Sequence, residues 1–310
     1  MDWSASGAPL VATRAVHFAA TAMMVGNIVF GGLIATPVLR SEPGRAAALW
    51  GQLTQLSWFG LAMAVISGAI WLMLQAASMS GLPLHEALTA DVLSTVVTET
   101  QFGEVTALRA GLAVCLAICF VCDRAATARW LGLAASLAFA AMLAWTGHAG
   151  ATFGIVGHLH LAADALHILA AAAWIGGLVP LILFLGATRH SSSPLLARDA
   201  VGRFSTMGII SVATLILTGV ANTVVLVGSV RGLIATEYGQ LLLVKLAVFA
   251  LMLTFAAVNR LSLTPRLGKY GDAARASLVR NSTIEFVLGL VVFAIVGLLG
   301  TLHPAIHLAN

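Results

Sequence analysis

The stretch HLHLAADALHILAAAAWIGGLVPLILFLG, residues 158–186, carries a single formal charge, Asp164, in 29 residues. A helix of that length rises about 43 Å, enough to cross a hydrocarbon core of about 30 Å with residues to spare. The run is too long for a strand and lacks the in-and-out alternation of a membrane barrel. In lipid every backbone N–H and C=O must be paired internally, which leaves a helix. Working outward, seven more runs of this kind follow: roughly 13–36, ending at Pro37, then 52–77, 104–122, 129–147, 206–228, 239–263 and 283–303. The expected fold is therefore an all-α polytopic transmembrane bundle of about eight spans.

Composition agrees. The chain has 310 residues, 60% hydrophobic and 9% charged, with a mean hydropathy of +0.99. A soluble domain carries about 25% charged residues. This excludes a soluble enzyme, a nucleic-acid reader and a disordered chain. No water-soluble domain, strong repeat or linker interrupts residues 1–310, which read as one integral-membrane domain. The first helix is expected to stay as an anchor, because Met1 to Thr13 contain no basic cluster and no convincing cleavage site follows.

Twelve of the 16 Lys and Arg residues fall on one set of loops: Arg40, Arg45, Arg124, Arg129, Arg189, Arg198, Arg203, Arg260, Arg266, Lys269, Arg275 and Arg280. Such loops face the cytoplasm, so both termini are expected on the extracytoplasmic side. The pI near 9.4 reflects this sidedness rather than a nucleic-acid partner. The segment 78–103 between spans two and three has acids but no Lys or Arg, and Leu84 to Val97 has amphipathic helical spacing. It reads as an outer surface segment, and 260–282 as a basic cytoplasmic loop.

Eight of the nine histidines lie at or near the outer face under this threading: His17, His85, His148, His158, His160, His167, His303 and His307, with only His190 opposite. Imidazole is a good ligand for copper, zinc, iron and nickel, and ionisable groups inside a membrane tend to mark pathways. The sharpest pattern is His160, Asp164 and His167, whose offsets of four and seven put them on one helical face, continued by Trp174. A carboxylate between two imidazoles can orient one of them or balance a cation. The candidate metal-binding residues are His17, His148, His158, His160, Asp164, His167 and His303. His85 and His190 read as ordinary interfacial histidines. Met23, Met24, Cys115, Cys119 and Cys122 carry sulfur that suits Cu(I), but packing accounts for them more simply. Arg109 and Lys245 sit inside spans, to snorkel or to pair with Asp164 or Glu104. Glu285 reads as an acid at the N-terminus of span eight, where a helix dipole favours it.

The run from Thr146 to Leu185, TGHAGATFGIVGHLHLAADALHILAAAAWIGGLVPLILFL, resembles the central signature of the copper resistance protein D family. The GHA turn, the H-x-x-A-D-x-x-H core and the A-W-I-G-G-L continuation carry the likeness. SGLPLHEAL in the outer segment and R-F-S at Arg203 to Ser205 extend it over nearly the whole chain. The resemblance implies a bacterial inner-membrane protein that handles copper, paired with a periplasmic copper-binding protein of the CopC type and moving copper inward.

The functional expectation is copper transport and resistance, not an enzyme activity. There is no G-x-x-x-x-G-K-[ST] phosphate loop and no H-E-x-x-H zinc motif. Two alternatives stand beside it. One is a b-type cytochrome with haem between His17 and His167. The other is an assembly factor for metal insertion.

Overall fold

A computed structural model describes residues 7–40, 43–123, 125–152, 154–188, 194–267 and 271–307. Arg124, Arg189, His190 and Lys269 lie outside them, as do the side chains of Arg45 and His307. No strand occurs among the described residues, and eight helices are long and apolar enough to cross a membrane. They are span one Gly7–Val38, two Ala47–Ser80, three Gln101–Val121, four Ala126–Thr146, five Gly154–Ala187, six Leu195–Leu226, seven Glu237–Arg266 and eight Asp272–Leu299. Several helices outrun their expected apolar cores, because helical hydrogen bonding continues where hydropathy ends. Residues 260–266 and 271–282 are thereby helical. The stretch between spans two and three folds into two short helices, Leu84–Ala87 and Ala90–Glu99. Each buries one apolar residue, Ala87 and Val96, and leaves its polar face exposed.

Span one is the axis of the bundle. It is buried along 67% of its apolar stretch, against 6% for span seven. It packs most extensively on spans two, four, five and eight, while its Phe30 ring also meets Phe204 of span six at 6.4 Å. The tightest crossing is between spans one and five. Gly26 lies against the backbone of Gly176 and Gly177, and a methyl group on Gly176 would collide with the Ala22 carbonyl oxygen. Gly177 faces span six, where a Cβ would meet the Phe204 ring at 2.9 Å. The A-W-I-G-G-L sequence is thus a packing device: Trp174 and Ile175 fill the core, and the two glycines admit neighbouring helices.

The helix widens into a π-turn at this crossing, Ala172–Gly176, and again at Gly31–Ala35 in span one and Asn259–Leu263 in span seven. Proline follows each, at Pro37, Pro180 and Pro265. A proline removes one backbone donor and crowds the preceding turn, which a wider turn relieves. Thr36 and Thr264 donate to the Gly31 and Asn259 carbonyls at 2.8 and 2.7 Å, covering acceptors at these turns.

Glu285 departs from the expected placement. The last helix begins at Gly271, so Glu285 lies near its middle rather than at its N-terminus, and is only 2% exposed. Its Oε1 accepts from Asn259 at 2.6 Å, and Asn259 Oδ1 accepts from Asn281 at 2.9 Å. An amide chain, not a helix dipole, satisfies this acid.

Replacing Gly176 by Leu should cost about 3 kcal/mol through overpacking at the crossing. Gly111, with nothing within 4 Å of a would-be Cβ, should accept Ala at no loss. Thermal melts in detergent followed by size exclusion compare the two; equal melting would remove the crossing from its central place.

Candidate functional site

The spans alternate, so the starts of spans one, three, five and seven share one end of the bundle with the finishes of spans two, four, six and eight. All the candidate residues belong to that half. They do not form one cluster. Among the described residues no three His, Cys, Asp or Glu side chains gather closely enough to hold a metal ion.

His17 is 2% exposed and both ring nitrogens are occupied. Arg109 Nη1 lies 2.7 Å from Nε2. A guanidinium only donates, so Nε2 accepts. Nδ1 then carries the proton and donates to Ser67 Oγ at 3.0 Å, and Ser67 donates to the Met63 carbonyl at 2.6 Å. Arg109 also donates through Nε to the Phe139 carbonyl at 3.0 Å and lies 4.1 Å over the Phe139 ring. His17 thereby ties spans one, two, three and four together. Arg109 pairs with neither Asp164 nor Glu104. The haem alternative is not favoured, since iron at His17 would have to displace Arg109 or Ser67.

His148 sits on the short turn His148–Ala151 between spans four and five. It lines a cleft of about 840 Å³ with Thr152, Gly300, Thr301 and His303. His148 Nε2–H donates to the Leu299 carbonyl at 3.4 Å, and its ring meets Tyr238 edge-on at 6.1 Å. His303 is exposed in the same cleft. His160 stands behind it, 3% exposed, with Nδ1 3.0 Å from Thr152 Oγ1. The Thr152 hydroxyl donates to the His148 carbonyl at 3.2 Å, which makes His160 Nδ1 the donor and leaves a lone pair on Nε2. His158 is exposed and its ring makes no hydrogen bond among the described residues.

Two turns further along span five the same device recurs. His167 Nδ1 lies 2.9 Å from Thr218 Oγ1, whose proton goes to the Thr214 carbonyl at 2.6 Å. Nδ1 is again the donor, and Nε2 has no hydrogen-bond partner among the described residues. Asp164 Oδ1 accepts from Asn222 at 3.1 Å. Asn222 Oδ1 is buried without a partner among the described residues. Lys245 on span seven is near enough to act on both Asp164 and His167 electrostatically. No ion pair joins Lys245 to Asp164 among the described residues. Sequence reading put Asp164 and His167 on one helical face but gave no role to Thr152, Thr218 or Asn222. A hydroxyl or amide facing the histidine face from a neighbouring span is the missing signal, and it needs the helix pairing to be known.

Of the sulfur residues, Met24 and Cys119 are packed in the core, Cys115 is half-buried and Cys122 is exposed. Met24 is 0% exposed and fills the space over Gly60, while Cys119 packs on Gly132, where a Cβ would meet its own at 3.3 Å.

Two family profiles match the chain. Residues 4–159 match the copper resistance protein D-like N-terminal domain, and residues 198–299 match copper resistance protein D. The chain belongs to the copper resistance protein D family. Copper resistance protein D of Pseudomonas syringae pv. tomato is 31% identical over 91% of this chain and 93% of its own length. Inner membrane protein YebZ of Escherichia coli (strain K12) is 29% identical over 95% of this chain and 98% of its own. Copper transport protein CutJ of Bacillus subtilis (strain 168) is 32% identical over 48% of this chain and 26% of its own length. No solved structure matches significantly. The motifs of this copper resistance family member now have places. GHA forms the cleft turn, H-x-x-A-D-x-x-H carries the two threonine-held imidazoles, and R-F-S packs Phe204 on Gly177 while Ser205 accepts from Arg260 at 2.6 Å.

Arg109→Leu removes donors from His17 and the Phe139 carbonyl together. It should cost about 3 kcal/mol and lower the melting temperature by several degrees, without changing copper bound per purified protein. A fall in copper with unchanged stability would instead make this cluster part of the metal path.

Proposed function

We propose that this chain carries copper ions across a bacterial inner membrane, from periplasm to cytoplasm, as part of copper resistance or homeostasis. The observation that carries the reading is the repeated threonine clamp. It holds His160 and His167 with Nδ1 protonated and Nε2 presenting a lone pair, the form of imidazole a metal ion binds. The names of the relatives, copper resistance, copper transport and inner membrane protein, support the cargo and the membrane.

In this reading the histidine-bearing end faces the periplasm, because the opposite end collects the arginines. His148 and His303 receive copper in the outer cleft, with His158 at its margin and a periplasmic carrier of the CopC type as donor. His160 takes the ion next. His167 follows, with Asp164 and the unpartnered Asn222 oxygen offering oxygen ligands and compensating charge. Lys245 opposes a cation that lingers there, which favours passage over storage. His17 supports the frame of this route rather than the ion.

Cells expressing His148→Ala/His303→Ala or His160→Ala/His167→Ala at wild-type membrane level should fall back to the copper content of cells lacking the protein. Wild-type copper content in both double variants would overturn the proposal.

A further inference from the structure

A groove of about 1080 Å³ opens on the lipid-facing side of spans one, four, five and six, toward the arginine-rich end. Its wall is apolar, with Leu33, Leu137, Leu169 and Ile210 among the lining residues. The Thr206 and Thr214 hydroxyls within it donate to their own helix, at 3.1 Å to Gly202 and 2.9 Å to Ile210. They therefore ask nothing of an occupant. Gly202 leaves its backbone open, with nothing within 4 Å of a would-be Cβ.

The charged end differs. Arg198 and Arg203 both line the mouth. Arg203 uses Nε on Asp199 at 3.2 Å, and its remaining N–H donors have no partner among the described residues. Arg198 is exposed and pairs with no carboxylate there. Two guanidiniums against one carboxylate leave the mouth positive. From Arg203 to Thr214 the helix rises about 16 Å, the depth of one leaflet of a core of about 30 Å.

We propose that this groove binds an anionic phospholipid, with its phosphate on Arg198 and Arg203 and one acyl chain along span six. The inference needs the membrane bundle but not the copper reading. An apolar channel one leaflet deep, ending in guanidiniums at headgroup height, matches the two ends of such a lipid. Arginine also recognises phosphate through parallel N–H donors.

Native mass spectrometry of the full detergent-solubilised chain tests this with added dioleoyl phosphatidylglycerol, dioleoyl phosphatidylcholine or glycerol 3-phosphate. One phosphatidylglycerol should remain bound at collision energies that strip phosphatidylcholine, and glycerol 3-phosphate should not displace it. Arg198→Gln/Arg203→Gln should weaken phosphatidylglycerol by about fivefold per charge removed and leave phosphatidylcholine unchanged. Ile210→Trp, at an exposed position inside the groove, should weaken both lipids while the protein still elutes as a folded species. Equal retention of the two lipids by wild type, or phosphatidylglycerol binding unchanged in both variants, would overturn the proposal. So would displacement by glycerol 3-phosphate at equal concentration. If Ile210→Trp turned a dimer into a monomer, the occupant would be a second copy of the chain and the lipid assignment would fail.

Discussion

At the centre of the bundle two backbones touch with no side chain between them. Gly26 of span one and Gly176 of span five meet there, and Gly177 on the next step admits Phe204 of span six. Lipid tails are as apolar as leucine, so water expulsion does little to join helices inside a membrane. Close packing and buried hydrogen bonds must do it instead. The crossing sets the distance between spans one and five and fixes the rotation of span five. That rotation directs Asp164 and His167 toward spans six and seven, and His160 toward the turn that carries His148.

Two buried arginines stand apart from the histidines whose ring nitrogens are open. Arg14 and Arg109 are 7% and 6% exposed, on the span one to span four side of the bundle, with no carboxylate partner among the described residues. Arg14 rests 5.0 Å from the Trp71 ring and 5.8 Å from Phe18, and its guanidinium lies over Gly300 at the end of span eight. Aromatic faces replace a counter-ion there. The carboxylate and the imidazoles with open nitrogens lie instead with spans five to seven. Lys245 of span seven stands among them as an opposing charge.

The helices, their number and their apolar cores were legible in the chain, because burial of backbone polar groups in lipid leaves so few alternatives. The helical register of His160, Asp164 and His167 follows from periodicity alone, but not that His160 meets Thr152 while Asp164 and His167 meet Asn222 and Thr218 of span six. What sequence could not supply was partnership between distant helices. His17 looks like a ligand until Arg109, 92 residues away, is found on its Nε2. Glu285 looks like a helix-capping acid until the last helix is seen to start at Gly271. Thr152 and Thr218 look like background until their hydroxyl protons are traced to carbonyl oxygens.

The three widened turns bear on how chains of this fold can diverge. Such a turn arises when a helix absorbs one extra residue without breaking. Removing that residue would restore regular winding and swing everything beyond it by about 100° around the axis. In span five the deletion would turn Phe184 and Leu185, both 0% exposed, out of the core while leaving His160 and His167 untouched. Single-residue gaps between relatives at Ala172–Gly176 should therefore be rare unless a compensating insertion lies nearby.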